Sequence, residues 1–421
     1  MASPVADSYD LPPGGGVISC GRFTAPLVSL NTALMGDSLT DDAYGLTTFY
    51  GINAGCGGKM VLMANSGVSG TTVGDMLGRV NNLYTAGAPG MAGIGTLGRI
   101  FVRAGTNDAR GNTSIASLAA SYTALLNTLA TYAQRVIILA VPPLSDSGNN
   151  ATAATYNAWL SAFAAANPSQ FKYIDDCTSL RLGDGSQDPV CFNVDGIHFA
   201  GPGVARAGLA GAIAMASELA SAHSPLSKSA ADVYPAQPQW IQNPTIVGTG
   251  GGKDGAFSGQ VANTFYVGGY GAGMGGVCSI VAANAGDQNQ TPWQRVELTS
   301  GQVGSRLDIQ TTLIGRSITA VDPTRLDAML EIRFVGVNRS YVDGISLMAQ
   351  GDTGEYFVPS TPLFLDSSGT ESKTYVLRAR RKRSGSSPSI SYLGWHLYAG
   401  IRANFSSSVG FIDIRSITVR G

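Results

Sequence analysis

The chain has 421 residues, with 27 Lys and Arg against 28 Asp and Glu, so the formal net charge is −1. That balance argues against a nucleic-acid binder, which would carry a strong basic excess. Hydrophobic residues make up 44% and charged ones only 13%, which argues against disorder and leaves room for two or three domains with full cores.

Residues 1–27 open MASPVADSYDLPPGGG and read as an extended, Pro- and Gly-rich N-terminal arm. The stretch lacks the basic flank and apolar core of a secretory signal. No apolar run reaches the ~18 residues that span a bilayer, so membrane insertion is not expected. From 28 to 222, apolar runs take turns with Ala-rich amphipathic segments. The runs are Val28–Met35, Lys59–Ala64, Arg99–Ala104, Arg135–Val141 and Phe171–Ile174; helices are predicted near 73–84, 114–133, 152–166 and 203–222. Strand and helix in alternation predict an α/β domain with a mostly parallel sheet covered on both faces. Residues 223–243 carry several prolines and little periodicity, and read as a linker. From 244 to 421, short β-rich runs with Gly-rich turns, such as TFYVGGYG, RLDIQTTLIG and HLYAGIRANF, predict an all-β sandwich of jelly-roll type.

The five cysteines are Cys20, Cys56, Cys177, Cys191 and Cys278. None forms a CxxC pair, so no zinc site is expected. They read as buried free thiols of a chain folded in a reducing compartment, with a Cys177–Cys191 bridge as the alternative. No cofactor is expected.

The chemistry begins at ALMGDSLTDD, residues 33–42, where an apolar run stops at Gly36-Asp37-Ser38. A Ser at the C-terminal end of the first strand of an α/β sheet lies where such sheets bind ligands. To act as a nucleophile it needs a base, usually His, and the base needs an orienting carboxylate. The three candidates are His198, His223 and His396. His198 lies in VDGIHFAGPG, three residues after Asp195. On a tight loop that carboxylate reaches the imidazole Nδ1 and leaves Nε2 for a nucleophile, in the chain order Ser…Asp…His. Asn107, in Gly105-Thr106-Asn107-Asp108 at the end of another strand, offers an amide donor suited to an oxyanion hole. NSGVSGTTV, residues 65–73, offers glycines that let a backbone N–H approach an oxyanion closely.

Taken singly, GDSL is a turn, GTND a helix N-cap and DxxH a surface pair. Together, the four segments resemble the blocks of the SGNH hydrolases, also called GDSL esterases. Gly36-Asp37-Ser38-Leu39 matches the GDS block. Asn65–Thr71 is similar to the Gly block, with Gly70 as its glycine and Gly67 in the same stretch. Gly105-Thr106-Asn107-Asp108 matches GxND, and Asp195-Gly196-Ile197-His198 matches DxxH. The resemblance implies a three-layer α/β/α, flavodoxin-like domain. It implies Ser38 as nucleophile, His198 as general base and Asp195 as its orienter. The backbone N–H groups of Ser38 and Gly70, with the Asn107 side chain, would hold the oxyanion. No GxSxG elbow of the α/β-hydrolase kind is present.

NPTIVGTGGGKDGAFSGQVANTFYVGG, residues 243–269, also resembles segments that open β-sandwich modules in bacteriophage tail proteins and carbohydrate-binding appendages. The joint expectation is a serine esterase that removes acyl groups, O-acetyl first, from a bacterial surface polysaccharide. It would act as a tail-associated or receptor-binding protein, with a homotrimer or other tail proteins as partners. The expected location is the virion or the extracellular space, with the cytoplasm as alternative. The rival readings are a GDSL-type lipid esterase or thioesterase, and a glycan-binding adhesin with a vestigial hydrolase core. Two further features are weighed. Arg378, Arg380 and Lys382 in LRARRKRS alternate and read as a solvated face or a charge-protected edge strand, with a patch for an acidic glycan as alternative. Trp240, Trp293 and Trp395 are candidates for sugar stacking, with core packing expected for at least two.

Overall fold

The computed structural model describes residues 30–41, 46–84, 89–219, 246, 248–285, 291–313, 327–351, 356–380 and 393–420. The expected arm, the linker, Cys20, His223, Trp240, Lys382 and the side chains of Arg380 and Trp395 lie outside the described residues.

Five strands build the first sheet: β1 Asn31–Gly36, β2 Val61–Gly67, β3 Leu97–Arg103, β4 Ala133–Leu139 and β5 Phe171–Ile174. All neighbours are parallel, in the order β2-β1-β3-β4-β5. The helices are α1 Leu46–Gly55, α2 Val73–Arg79, α3 Thr106–Arg110, α4 Ile115–Tyr132, α5 Ser147–Ala166 and α6 Gly201–Met215. Parallel strands are apolar on both faces because helices cover both. Ala33, Met35, Ile100, Val102, Val136 and Ile138 pack with α2, α4 and α5. Leu34, Phe101 and Ile137 face the other way, onto α1 and α6. This is the expected three-layer arrangement.

The predicted strands shift by one to three residues at their ends, apart from Phe171–Ile174, which keeps its bounds. The helices differ more. α5 starts at Ser147 because Asp146 caps it, accepting from the Asn149 amide. α6 ends at Met215 rather than 222. α1 was not predicted, since LTTFYGINAG has little helical periodicity. Its glycines serve a close helix–helix contact instead. A Cβ on Gly51 would come within 3.2 Å of the Gly208 Cα on α6, and one on Gly55 within 2.5 Å of the Ala212 Cβ.

The second unit opens with β6 Gly250–Lys253, β7 Phe257–Gly259, β8 Val261–Tyr270, β9 Gly275–Val281 and β10 Trp293–Ser300. It continues with β11 Arg306–Leu313, β12 Asp327–Val335, β13 Val337–Asn338, β14 Val342–Gly351 and β15 Tyr356–Phe364. It closes with β16 Thr370–Glu371, β17 Thr374–Arg380, β18 Leu393–Ile401 and β19 Phe411–Arg420. Two six-stranded sheets, β17-β12-β19-β10-β9-β7 and β15-β14-β18-β11-β8-β6, enclose one core that includes Phe265, Val296, Leu307, Ile332, Leu397 and Ile412. From β6 onward the chain crosses repeatedly between the sheets, and the result is a two-sheet β-sandwich, as expected.

The two units touch through α1, α6 and the edge strands β15 and β17. Ala54 of α1 joins the sandwich core. Arg206 of α6 reaches Asp366, with Nε 3.1 Å from Oδ2. β17 is an edge strand, as expected, but Arg378 does not stand on a solvated face. It donates to the carbonyl oxygens of Gly58 at 3.1 Å and Met60 at 3.4 Å, because the first unit covers that edge. Trp293 is 1% exposed, between the guanidinium groups of Arg333 and Arg415 at 4.3 and 3.9 Å, so it packs rather than meets a sugar. Cys56, Cys177, Cys191 and Cys278 are buried free thiols, which removes the Cys177–Cys191 bridge.

Candidate active site

The strand register brings three loops to one place. Gly36 at the end of β1 pairs with Gly67 of β2 on one side and Arg103 of β3 on the other. Ser38, Gly70 and Asn107 follow these positions by two, three and four residues. They therefore cluster at the C-terminal edge of the sheet, where open α/β sheets place their sites.

The turn bearing Ser38 is locked by its neighbours. The Thr40 and Asp41 amides donate to the Asp37 carbonyl at 3.0 and 3.1 Å, and the Leu39 amide donates to Asp37 Oδ1 at 2.9 Å. Gly36 has no room for a side chain, since a Cβ would sit 2.2 Å from Thr40 Oγ1 and 2.5 Å from the Arg103 carbonyl oxygen. Ser38 itself is 9% exposed. Beneath it, Asp37 is fully buried. Burial pushes its carboxyl up to about 6, against the pull of the Leu39 amide, of Thr106, and of the Arg103 and His198 charges. The Thr106 hydroxyl lies near that carboxylate but outside hydrogen-bonding geometry.

Asn107 sits on the first turn of α3. Its Nδ2 donates to the Thr71 carbonyl at 2.9 Å. An amide has two N–H bonds, so one fixes the side chain beside the Thr71–Thr72 peptide and the other can serve an oxyanion. Gly70 has φ +76° and open space where a Cβ would stand. Gly67 is packed instead, since a Cβ there would come within 2.3 Å of the Asp41 amide nitrogen. Of the two glycines in this block, only Gly70 faces free volume.

Asp195 and His198 form the expected pair. Asp195 Oδ2 lies 2.7 Å from His198 Nδ1, and Oδ1 accepts the Ile197 and His198 amides at 2.9 and 3.0 Å. Burial pushes the Asp195 carboxyl up, but the His198 ring, the two amides and the His198 charge together hold it below its ordinary value. The loop is tied down by Gln187, whose Nε2 donates to the carbonyl oxygens of Gly196 at 2.8 Å and Pro143 at 2.9 Å. Its flanks, Phe192 and Phe199, pack with Leu39, the residue after Ser38. One apolar cluster thus joins the serine turn to the histidine loop. His396 lies on the sandwich, paired with Asp308, and has no part here.

Three supporting residues were given no role by the motifs: Arg79 and Arg103 lie outside them, and Asp108 closes the GxND block. Arg79, buried on α2, donates to the Ser66, Pro89 and Gly36 carbonyls at 2.9, 2.7 and 2.9 Å and ties the ends of β1 and β2. Arg103 forms a fully buried ion pair with Asp176 and donates to the Ala140 carbonyl at 2.7 Å. Asp108, next to Asn107, accepts the Val73 amide at 3.0 Å and so caps α2. A charged residue inside an otherwise apolar strand, as Arg103 in RIFVRAG, is the one sign that sequence offers for such a role.

Residues 34–206 match the model of the GDSL-like Lipase/Acylhydrolase family. No curated protein matches the chain. Among solved structures, the chain is similar to a carbohydrate esterase family 3 protein from Talaromyces cellulolyticus, at 20% identity over 45% of this chain and 98% of the other, with a TM-score of 0.35. It is similar to a GDSL-like lipase from Bacteroides thetaiotaomicron, at 19% identity over 45% of this chain and 88% of the other, TM-score 0.34. It is also similar to the enzymatically active domain of tailspike protein 4 of bacteriophage CBA120, at 15% identity over 37% of this chain and 19% of the other, TM-score 0.25.

Proposed function

We propose that the chain, whose residues 34–206 match the model of the GDSL-like Lipase/Acylhydrolase family, is a serine esterase that removes O-acetyl groups from a bacterial surface polysaccharide, as a tail-associated protein. The observation that carries the hydrolytic part is the Asp195–His198 pair at 2.7 Å, held by one apolar cluster against the turn that bears Ser38. The polysaccharide part is supported by the appended sandwich, which ester hydrolysis does not need.

In this reading Ser38 Oγ attacks the ester carbonyl carbon while His198 Nε2 takes its proton. Asp195 holds the imidazole in the tautomer that leaves Nε2 as acceptor and stabilises the imidazolium. The carbonyl oxygen becomes an oxyanion, held by the Ser38 and Gly70 amides and the second N–H of Asn107 Nδ2. The tetrahedral intermediate collapses, and the sugar oxygen leaves with the proton from His198. Water, deprotonated by His198, then attacks the acyl-Ser38 carbonyl, and acetate departs as Ser38 recovers its proton.

The test is acetate release from a panel of native O-acetylated bacterial polysaccharides, with Ser38→Ala beside the wild type. Release by the wild type alone is expected, with kcat lower by ~10⁴–10⁶ in the variant. Turnover of long-chain acyl esters without acetate release from any glycan would replace the polysaccharide reading with that of a lipid esterase. Glycan binding without hydrolysis of any ester would make the chain an adhesin.

A further inference from the structure

The outward face of the sheet β15-β14-β18-β11-β8-β6 carries an array that hydrolysis at Ser38 does not use. Leu307 and Ile309 of β11 point into the sandwich core, so Arg306 and Asp308 stand on the opposite face. The register sets Arg306 opposite Tyr270 of β8, and Asp308 opposite Tyr398 of β18. The Arg306 guanidinium carbon lies 4.3 Å from the Tyr270 ring centre and 4.0 Å from that of Tyr398. Tyr398 stacks in turn on His396, with ring centres 5.5 Å apart and planes 18° from parallel. Four side chains from three strands therefore form one stack. Its outer ring, Tyr270, is 65% exposed, and Tyr266, four residues back on the same face, is 39% exposed.

The charges do not cancel. Asp308 is engaged by His396 Nδ1, 3.3 Å from both its oxygens, and by Gln310 Nε2 at 2.6 Å. Arg306 makes neither an ion pair nor a side-chain hydrogen bond among the described residues. A guanidinium packed against two rings loses little further freedom on binding, and its N–H groups match the fork of a carboxylate. Exposed tyrosine faces offer the flat apolar contact that the C–H face of a sugar ring can cover, with hydroxyls at the rim.

We propose that this face binds an acidic saccharide chain, with a uronate carboxylate on Arg306 and a sugar ring against Tyr270. β11 and β8 lie three and four strands from β15, the edge that meets α1 and α6. At ~4.8 Å per strand this places the array roughly 14–19 Å beyond that edge. It is a holding surface for a polymer, separate from the hydrolytic site, and the inference does not depend on what Ser38 cleaves.

The experiment is affinity electrophoresis of the full-length Ser38→Ala protein through gels containing polygalacturonate, alginate or hyaluronate, beside gels containing the same polymers after carboxyl reduction. Retardation by at least one acidic polymer is expected, weakened at least tenfold by carboxyl reduction. Tyr270→Ala, which truncates an exposed ring, and Arg306→Gln should each lower the affinity at least tenfold while the melting temperature is kept. Absence of retardation by all three polymers, equal retardation by the reduced forms, or unchanged affinity in both variants would each overturn the proposal. Acetate release by the wild-type protein is read separately, so failure here and failure of the esterase reading are told apart.

Discussion

At the scale of single residues, the site separates chemistry from support. Asn107→Ala removes a donor while leaving Ser38 and His198 in place, and kcat is expected to fall by ~10²–10³. Asp195→Asn keeps the loop shape but loses the tautomer control, and should cost about 10³–10⁴ in kcat. Steady-state kinetics on a chromogenic acetyl ester, with circular dichroism to confirm folding, checks both. Asp37 gives a prediction in pH. Its carboxyl titrates at about 6 in the folded chain against an ordinary 3.8, chiefly through burial. The folded state therefore holds the proton more tightly than the unfolded one. The stability from neutral Asp37 is fully present below about pH 4 and is lost as pH rises through about 6, up to ~3 kcal/mol. Asp37→Asn keeps an oxygen for the Leu39 amide and does not ionise, so the variant should gain on the wild type between pH 4 and pH 7. Melting temperatures across that interval would show a constant gap if the account were wrong.

At the scale of elements, the C-terminal edge of the first sheet is held by buried polar groups crossing between strands and loops. Arg103 of β3 and Asp176 after β5 are both buried, and burial pushes the Asp176 carboxyl up against the pull of Arg103. Removing one partner strands a charge. Arg103→Leu is expected to cost ~3–5 kcal/mol, and the double variant Arg103→Leu/Asp176→Leu to recover much of it. Urea titrations of the four proteins complete that cycle. Gly105 is the hinge from β3 to α3, with φ +100° and a would-be Cβ 2.0 Å from the Tyr122 hydroxyl, which itself donates to the Ala104 carbonyl at 2.6 Å. Gly105→Ala should lower the melting temperature and, by moving Asn107, kcat with it. The elements with periodic apolar patterns, α4 and β4 among them, were legible before the structure. α1 was not, because its sequence reports a glycine-mediated contact with α6 rather than an amphipathic face.

At the scale of the whole molecule, two units that read as independent in the sequence share a contact. The Arg206–Asp366 pair and the Arg378 bonds to the Gly58 and Met60 carbonyls cross it. Asp366→Ala and Arg378→Ala should each remove about 0.5–1.5 kcal/mol, which for units of this size lowers a melting transition by a few degrees. Scanning calorimetry should show the two transitions drawing apart in the double variant, and coincident shifts would argue that the contact is unimportant.

The sequence alone determined the five strands and four of the six helices described in the first unit, the β-rich character of the second, and the serine, histidine, aspartate and asparagine motifs. These are local signals: an apolar period, a residue type that ends a strand, a carboxylate three residues before an imidazole. The tertiary structure decided what depends on distant neighbours. It left open space beside Gly70 and packed Gly67, turned Arg378 from a solvent-facing charge into an inter-unit donor, and kept four described thiols unpaired. It also gathered Tyr270, Arg306, Tyr398 and His396 into one stack. No local pattern encodes those outcomes, because each is set by strand register and by packing between segments far apart in the chain.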